Sequence, residues 1–223
     1  MQGYEFVNPC IMKFDLYVIT DEAIAGGMSH AEIAQRAIAG GADVIQLRDK
    51  DCGCRELIRI GRTLREITKK SGTLFIINDR LDVALACGAD GVHLGQDDIC
   101  TVVARQLAPP GFIIGISVGT VEEAVRAEQD GADYIALSPV FTTASKYNAG
   151  PGHGLDVLRK IRRKVSRPVI AIGGINQDNV REVIAAGADG VAVISGVVGS
   201  PDITFAAREL KNHIAECKAD MRL

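Results

Sequence analysis

The chain has 223 residues, 47% of them hydrophobic, with a formal charge of −3 and no tryptophan. That apolar content is enough for a large core, and the basic residues are scattered rather than massed, which argues against a nucleic-acid partner. No window approaches the roughly eighteen consecutive apolar residues of a membrane span, and the opening MQGYEFVNPC lacks the basic start and apolar core of a secretion signal. The expected address is therefore the cytoplasm, with no membrane partner; the composition leaves a homo-oligomer open. Cys10, Cys52, Cys54, Cys87, Cys100 and Cys217 follow no disulfide or zinc spacing and read as free thiols, several of them buried.

Residues 1–12 read as an N-terminal extension and residues 13–223 as one domain. Along that domain, apolar runs alternate with helical patterns. The runs predict strands over Asp15–Thr20, Val44–Asp49, Leu74–Asp79, Gly91–Gly95, Phe112–Val118, Tyr134–Val140, Val169–Gly174 and Gly190–Gly196. They are continuous rather than alternating, as expected for parallel strands covered on both faces. Between them, Glu56–Ile67 places Leu57, Ile60, Leu64 and Ile67 on one helical face, and Leu155–Val165 does the same with Leu155, Leu158, Ile161 and Val165.

A Gly-Ala-Asp triplet recurs at Gly41, Gly88, Gly131 and Gly187, each time after a helical pattern and before an apolar run. The glycine suits the left-handed residue that closes a helix. The repeat unit is then a pair of strand–helix units. Four copies make a single-domain α/β TIM (β/α)8 barrel, preferred over a doubly wound sheet because fourfold repetition favours closure. Thr142–Gly154 is the one long Gly-rich polar connection and a candidate lid.

In such a barrel, polar residues at the C-terminal strand ends are the functional candidates. Two runs end in acids, Asn78-Asp79 and, just past the fourth strand, Asp97-Asp98. A single Asp after a strand ordinarily caps the next helix. Two such ends side by side offer hard oxygen ligands suited to Mg²⁺ holding a phosphorylated substrate. Gln46, Arg48 and Lys50 stand at alternate positions, so their side chains leave one face, with Asp49 and Asp51 pointing away. Cations so arranged suit a diphosphate. His93 lies within the fourth strand and reads equally as a hydrogen-bonded core histidine. The fifth strand contributes Ser117, and Thr142, Thr143, Ser145 and Lys146 follow the sixth. The glycines of AIGGI, around Gly174, and the Ser195–Val197 segment of AVISGV read as the usual barrel phosphate site. The inventory suits two anionic groups and contains no Ser-His-Asp arrangement or redox motif.

The segments QLRDK, NDRLDVALACGADGVHLGQDD, GISV, SPVFTTASK, AIGGI and GVAVISG, in this order between about Asp15 and Gly196, resemble the thiamine phosphate synthases. The resemblance implies a Mg²⁺-dependent (β/α)8 transferase of thiamine biosynthesis. It would join a hydroxymethylpyrimidine diphosphate to a thiazole phosphate, the carboxylated thiazole included, and release diphosphate. Loss of diphosphate would come first, and the thiazole nitrogen would capture the resulting pyrimidine methylene cation.

By the same resemblance, Gln46, Arg48, Lys50 and Asn78 would contact the pyrimidine diphosphate, and Asp79 and Asp98 would bind Mg²⁺. Ser117 and Lys146 would sit beside the diphosphate, so that Arg48, Lys50, Ser117 and Lys146 carry the catalysis. Thr143, Ser145, Gly174, Ser195 and Val197 would hold the thiazole phosphate, the last three largely through backbone. Two departures stand out: Ser138 occupies a usual Gly, and Ser145 a common Thr. The related thiazole tautomerases typically carry a His where this chain has Gly119, and tend to lose the acidic pair kept here. A non-catalytic, thiamine-phosphate-binding barrel would be marked by a degraded metal site, and Asp79 and Asp98 are present.

Overall fold

The computed structural model of the chain describes residues 13–143 and 150–221. Eight parallel strands close in sequence order: β1 Leu16–Thr20, β2 Val44–Leu47, β3 Leu74–Asn78, β4 Gly91–Leu94, β5 Ile113–Val118, β6 Tyr134–Leu137, β7 Val169–Ile172 and β8 Gly190–Val193. Strand β8 pairs back onto β1, with Leu16 opposite Val191 and Val18 opposite Val193, which excludes the doubly wound sheet. Helices α1 His30–Ala39, α2 Cys54–Ser71, α3 Leu81–Cys87, α4 Thr101–Leu107, α5 Val121–Gln129, α6 Gly154–Arg162 and α7 Val180–Ala185 follow the first seven strands. After β8 come a one-turn helix, α8 Ser195–Val198, and the long α9 Ile203–Asp220.

Several strands stop short of the predicted runs. The last ladder partners are Asn78 with His93, Leu94 with Ile116 and Ile172 with Ala192; beyond them the backbone turns into the strand–helix loops. Ser195 and Val197 accordingly belong to α8 and not to the last strand. The predicted extension, residues 1–12, lies outside the described residues, as do positions 144–149 of the candidate lid.

Two apolar layers explain the continuous hydrophobic runs. Along each strand, alternate side chains face opposite sides. Val18, Ile45, Ile77, Val92 and Ile135 pack outward in one cluster with helical residues such as Ile33, Leu64, Leu158 and Leu210. Tyr17, Ile19, Val44, Ile76, Ile113, Tyr134 and Ile170 fill a second cluster inside the barrel.

The Gly-Ala-Asp repeat is structural. Its glycines at 41, 88, 131 and 187 have φ of 98, 68, 96 and 103°, a region a side chain rarely adopts. Its aspartates, Asp43, Asp90, Asp133 and Asp189, accept the N–H groups of Leu16, Phe75, Ile114 and Val169 at 2.9, 2.8, 2.8 and 2.7 Å. Each also donates its own N–H to the carbonyl of that same residue, at 2.7–2.9 Å. The reciprocal bonds tie the start of every even strand to the odd strand before it. Lys211, Arg65, Arg105 and Arg162 neutralise the four carboxylates in turn. This ring of four pairs closes the N-terminal end of the barrel and leaves the C-terminal end for the site.

Candidate active site

The C-terminal mouth holds a cavity of about 790 Å³, open to solvent. Strand β2 brings Gln46 to its wall, and the segment that continues past Leu47 brings Arg48 and Lys50, as their alternate spacing predicts. Asp49 faces away, its Oδ1 accepting the N–H groups of Asp51 and Cys52 at 3.1 and 3.0 Å. Arg48 approaches Asp21, at the end of β1, at 3.4 Å, and both side chains are largely buried. The Lys50 ammonium lies 3.5 Å from the Asp79 carboxylate.

Asn78 and Asp79 line the wall from the end of β3. Asp79 has φ 63°, and among the described residues it alone, glycines aside, has positive φ. Its N–H donates to the His93 carbonyl at 2.8 Å, so the left-handed turn is held from β4. Asp98 folds back beneath Gly95, accepting its N–H at 2.6 Å. It stands next to Asp79 at the rim, where it also borders a second hollow of about 540 Å³ between α4 and α5. Burial, and then the Asp98 charge, push the Asp79 carboxyl above its ordinary pKa, against the Lys50 ammonium. Two carboxylates thus share one neighbourhood with the Lys50 ammonium, an arrangement that a hard divalent cation would relieve. Among the described residues no three His, Cys, Asp or Glu side chains converge as a complete protein cage. The paired carboxylates themselves are the donor type that suits an ion such as Mg²⁺, which keeps waters and takes phosphate oxygens alongside one or two carboxylates.

On the opposite wall, Ser117, Ser138 and Thr143 face the cavity from β5, the turn after β6 and the following loop. Gly173 and Gly174, with φ of 100 and 66°, cross directly beneath that loop. A Cβ at Gly173 would lie 2.6 Å from Pro139 Cβ, and one at Gly174 would lie 2.7 Å from Phe141 Cβ. The glycine pair is both a tight turn and the surface on which the β6–α6 loop rests. Ser195 and Gly196 complete the wall at the start of α8. A Cβ at Gly196 would meet the Ile175 carbonyl oxygen at 2.5 Å. Val197 is fully buried behind them, and its N–H is already donated to Ile194 at 3.1 Å. Of the predicted residues, Ser145 and Lys146 lie outside the described residues.

His93 is inside the barrel, 5% exposed, and bonds both Tyr134 and Ser117 at 2.9 Å. Sequence reasoning missed Tyr17 and Tyr134, because a tyrosine in a continuous apolar run reads as one more core residue. The cysteines at 52, 54, 87, 100 and 217 are free thiols, with Cys87 and Cys217 buried. Among the described residues no helix is long and apolar enough to cross a membrane.

The fold and the composition of this mouth define the class, a (β/α)8 barrel enzyme with its polar machinery at the C-terminal face. The chain belongs to the thiamine monophosphate synthase family, whose model matches residues 16–197, and it is a transferase. It is 64% identical over 211 residues to the thiamine-phosphate synthase of Methanoregula boonei, covering 95% of this chain and 98% of that one. The thiamine-phosphate synthase of Methanocella arvoryzae is 60% identical over 211 residues, covering 95% and 100%. Among solved structures, thiamine phosphate pyrophosphorylase from Pyrococcus furiosus superposes with a TM-score of 0.86 at 47% identity, covering 92% of this chain and 98% of that one.

Proposed function

We propose that the chain condenses a hydroxymethylpyrimidine diphosphate with a thiazole phosphate, plain or carboxylated, to give thiamine phosphate and diphosphate. The observation that carries this reading is the pairing of Asp79 and Asp98 at a mouth also lined by Arg48 and Lys50. Asp79 and Asp98 would hold Mg²⁺, which when bound neutralises charge developing on the departing diphosphate. Arg48, Lys50, the Ser117 hydroxyl and Lys146 would bind the same oxygens, favouring the dissociated pair over the intact ester. Gln46 and Asn78 would orient the pyrimidine ring. The C–O bond breaks with its electrons leaving on diphosphate, and the thiazole nitrogen lone pair then forms the C–N bond to the methylene carbon. That nitrogen carries no proton, so the step needs no general base.

Thr143, Ser145, Gly174 and Ser195 would seat the thiazole phosphate, with Val197 supporting them from behind. A tautomerase reading is disfavoured at Gly119, where a Cβ would lie 2.8 Å from the His153 ring. A cytoplasmic address and soluble, small-molecule partners belong to the same proposal. The test is diphosphate release from the two phosphorylated substrates with and without Mg²⁺. Release that needs both substrates and the metal supports the reading; release from the pyrimidine diphosphate alone at the same rate would replace it with hydrolysis.

A further inference from the structure

Four buried side chains from four strands form one unbroken hydrogen-bonded line across the barrel interior, ending on Ser117. The Gln46 amide donates from Nε2 to the Tyr17 hydroxyl at 2.7 Å. Tyr17 and Tyr134 hydroxyls lie 3.0 Å apart, Tyr134 reaches His93 Nδ1 at 2.9 Å, and His93 Nε2 reaches Ser117 Oγ at 2.9 Å. Gln46, Tyr17, Tyr134 and His93 are between 0 and 5% exposed. Both ends of the line, Gln46 and Ser117, open onto the active-site cavity.

The barrel is shaped around this line. A Cβ at Gly115 would lie 1.9 Å from Tyr134 Cζ, so the ring crosses β5 where the strand has no side chain. The ring stacks on His93 at 5.6 Å between centroids, meets Tyr17 edge-on at 6.1 Å and packs on Phe14 at 5.0 Å. Such packing holds each hydroxyl in one position.

The donors can be assigned from one end. An amide nitrogen only donates, so the Tyr17 oxygen accepts there, and its own hydrogen has Tyr134 as the neighbouring acceptor. The Tyr134 hydrogen then goes to His93 Nδ1, which puts the ring proton on Nε2 and makes that nitrogen a donor to Ser117 Oγ. In the reverse sense, the buried Tyr17 hydroxyl hydrogen would lack its acceptor on this line, a costly arrangement. Burial pushes both phenols above their ordinary range, which keeps them protonated as donors.

We propose that Tyr17, Tyr134 and His93 are positioning residues that keep Ser117 Oγ an acceptor from His93, so that the serine hydrogen is presented to the leaving diphosphate. The same line fixes the Gln46 amide with Nε2 inward, toward Tyr17. The assignment rests on the synthase reading above for the identity of the anion. The ring-proton assignment does not.

The test combines a double-mutant cycle with ring ¹⁵N NMR of the whole protein. Tyr134→Phe and Tyr17→Phe keep ring volume and remove one hydroxyl each. With Mg²⁺ and both substrates, Tyr134→Phe is expected to lower kcat about tenfold, the size of one hydrogen bond, with the KM for thiazole phosphate unchanged. In a Ser117→Ala background the same change is expected to cost nothing further, because its effect runs through the serine. Equal losses in both backgrounds would overturn the proposal and leave Tyr134 a packing residue. His93, identified by loss of its signals in His93→Gln, is expected to be the neutral Nε2–H tautomer and to shift toward Nδ1–H in Tyr134→Phe. An Nδ1–H ring in the unmutated protein would overturn it too. A protein that forms no product would sink the synthase reading alone, while the ring spectra still decide the proton order.

Discussion

Asp79 combines a left-handed backbone with a carboxyl raised by burial and by Asp98, and both features cost stability. Their cost is offset only if the residue works. Asp79→Asn keeps a residue that tolerates the left-handed region and removes the repulsion. The metal-free variant should therefore melt higher than the unmutated protein while losing Mg²⁺-dependent turnover by roughly a hundredfold or more. Asp79→Ala should lose turnover equally but gain no stability, because alanine carries a strain of about 1–2 kcal/mol there. Binding of thiazole phosphate by calorimetry should survive in both; its loss would mark Asp79 as structural. Gly174→Ala makes the contrasting case. With φ at 66° and Phe141 Cβ 2.7 Å from a new methyl, it should destabilise the fold by roughly 1–3 kcal/mol and raise the KM for thiazole phosphate above that for the pyrimidine diphosphate. Equal changes in the two constants would separate the glycine from the phosphate. Residue types with narrow chemistry, such as paired acids after strands or alternate cations, were legible from spacing alone. Tyr17 and Tyr134 were not, since an aromatic hydroxyl gives no sign of its partner until strands from across the barrel meet.

Single elements carry the clearest division of labour. Asp90 stands between α3 and β4, accepts the Phe75 N–H at 2.8 Å and pairs with Arg65 at 2.8 Å. It is chemically the same residue type as Asp79, yet it closes the opposite end of the barrel. Asp90→Ala strands a buried N–H and a cation, and should cost roughly 1–3 kcal/mol in chemical denaturation while leaving both KM values unchanged. A large change in KM would mean that the two ends are mechanically coupled. The repeat that announced the fold is thus its stability face, and the barrel could be read from it because the same turn, glycine and carboxylate are needed four times. Element ends were less legible. The predicted sixth and eighth runs continue to Val140 and Gly196, while β6 and β8 end at Leu137 and Val193. After Leu137 the ladder is interrupted at Pro139, which has no N–H to donate, although Val140 still donates to the Ile172 carbonyl at 2.7 Å.

At the scale of the whole molecule, the chain's last helix returns to its first strand. Lys211 and Lys218 of α9 both reach Asp15 just before β1, and Lys211 also reaches Asp43. Lys218 further donates to the Asp189 carbonyl at 2.6 Å, so α9 bridges β1, β2 and β8 where the barrel closes. Burial alone would raise the Asp15 carboxyl, but the Lys218 and Lys211 ammonium groups hold it below its ordinary 3.8. A carboxyl with a lower pKa in the fold than in the unfolded chain stabilises the fold fully above the unfolded value, and that contribution fades as pH falls through the folded one. Asp15→Asn should therefore unfold more easily at pH 7, by roughly 1–2 kcal/mol for charged hydrogen bonds at a quarter-exposed site. The gap to the unmutated protein should begin to narrow as pH falls past about 3.8 and close only once pH is below the lower folded-state value, where both chains carry a neutral side chain at this position. Denaturation midpoints measured from pH 7 to pH 2 would decide it. A gap that persists undiminished into acid would show that Asp15 acts through packing rather than charge. Turnover near neutrality should be unaffected in either case, because the clasp and the cavity occupy opposite ends of the same strands.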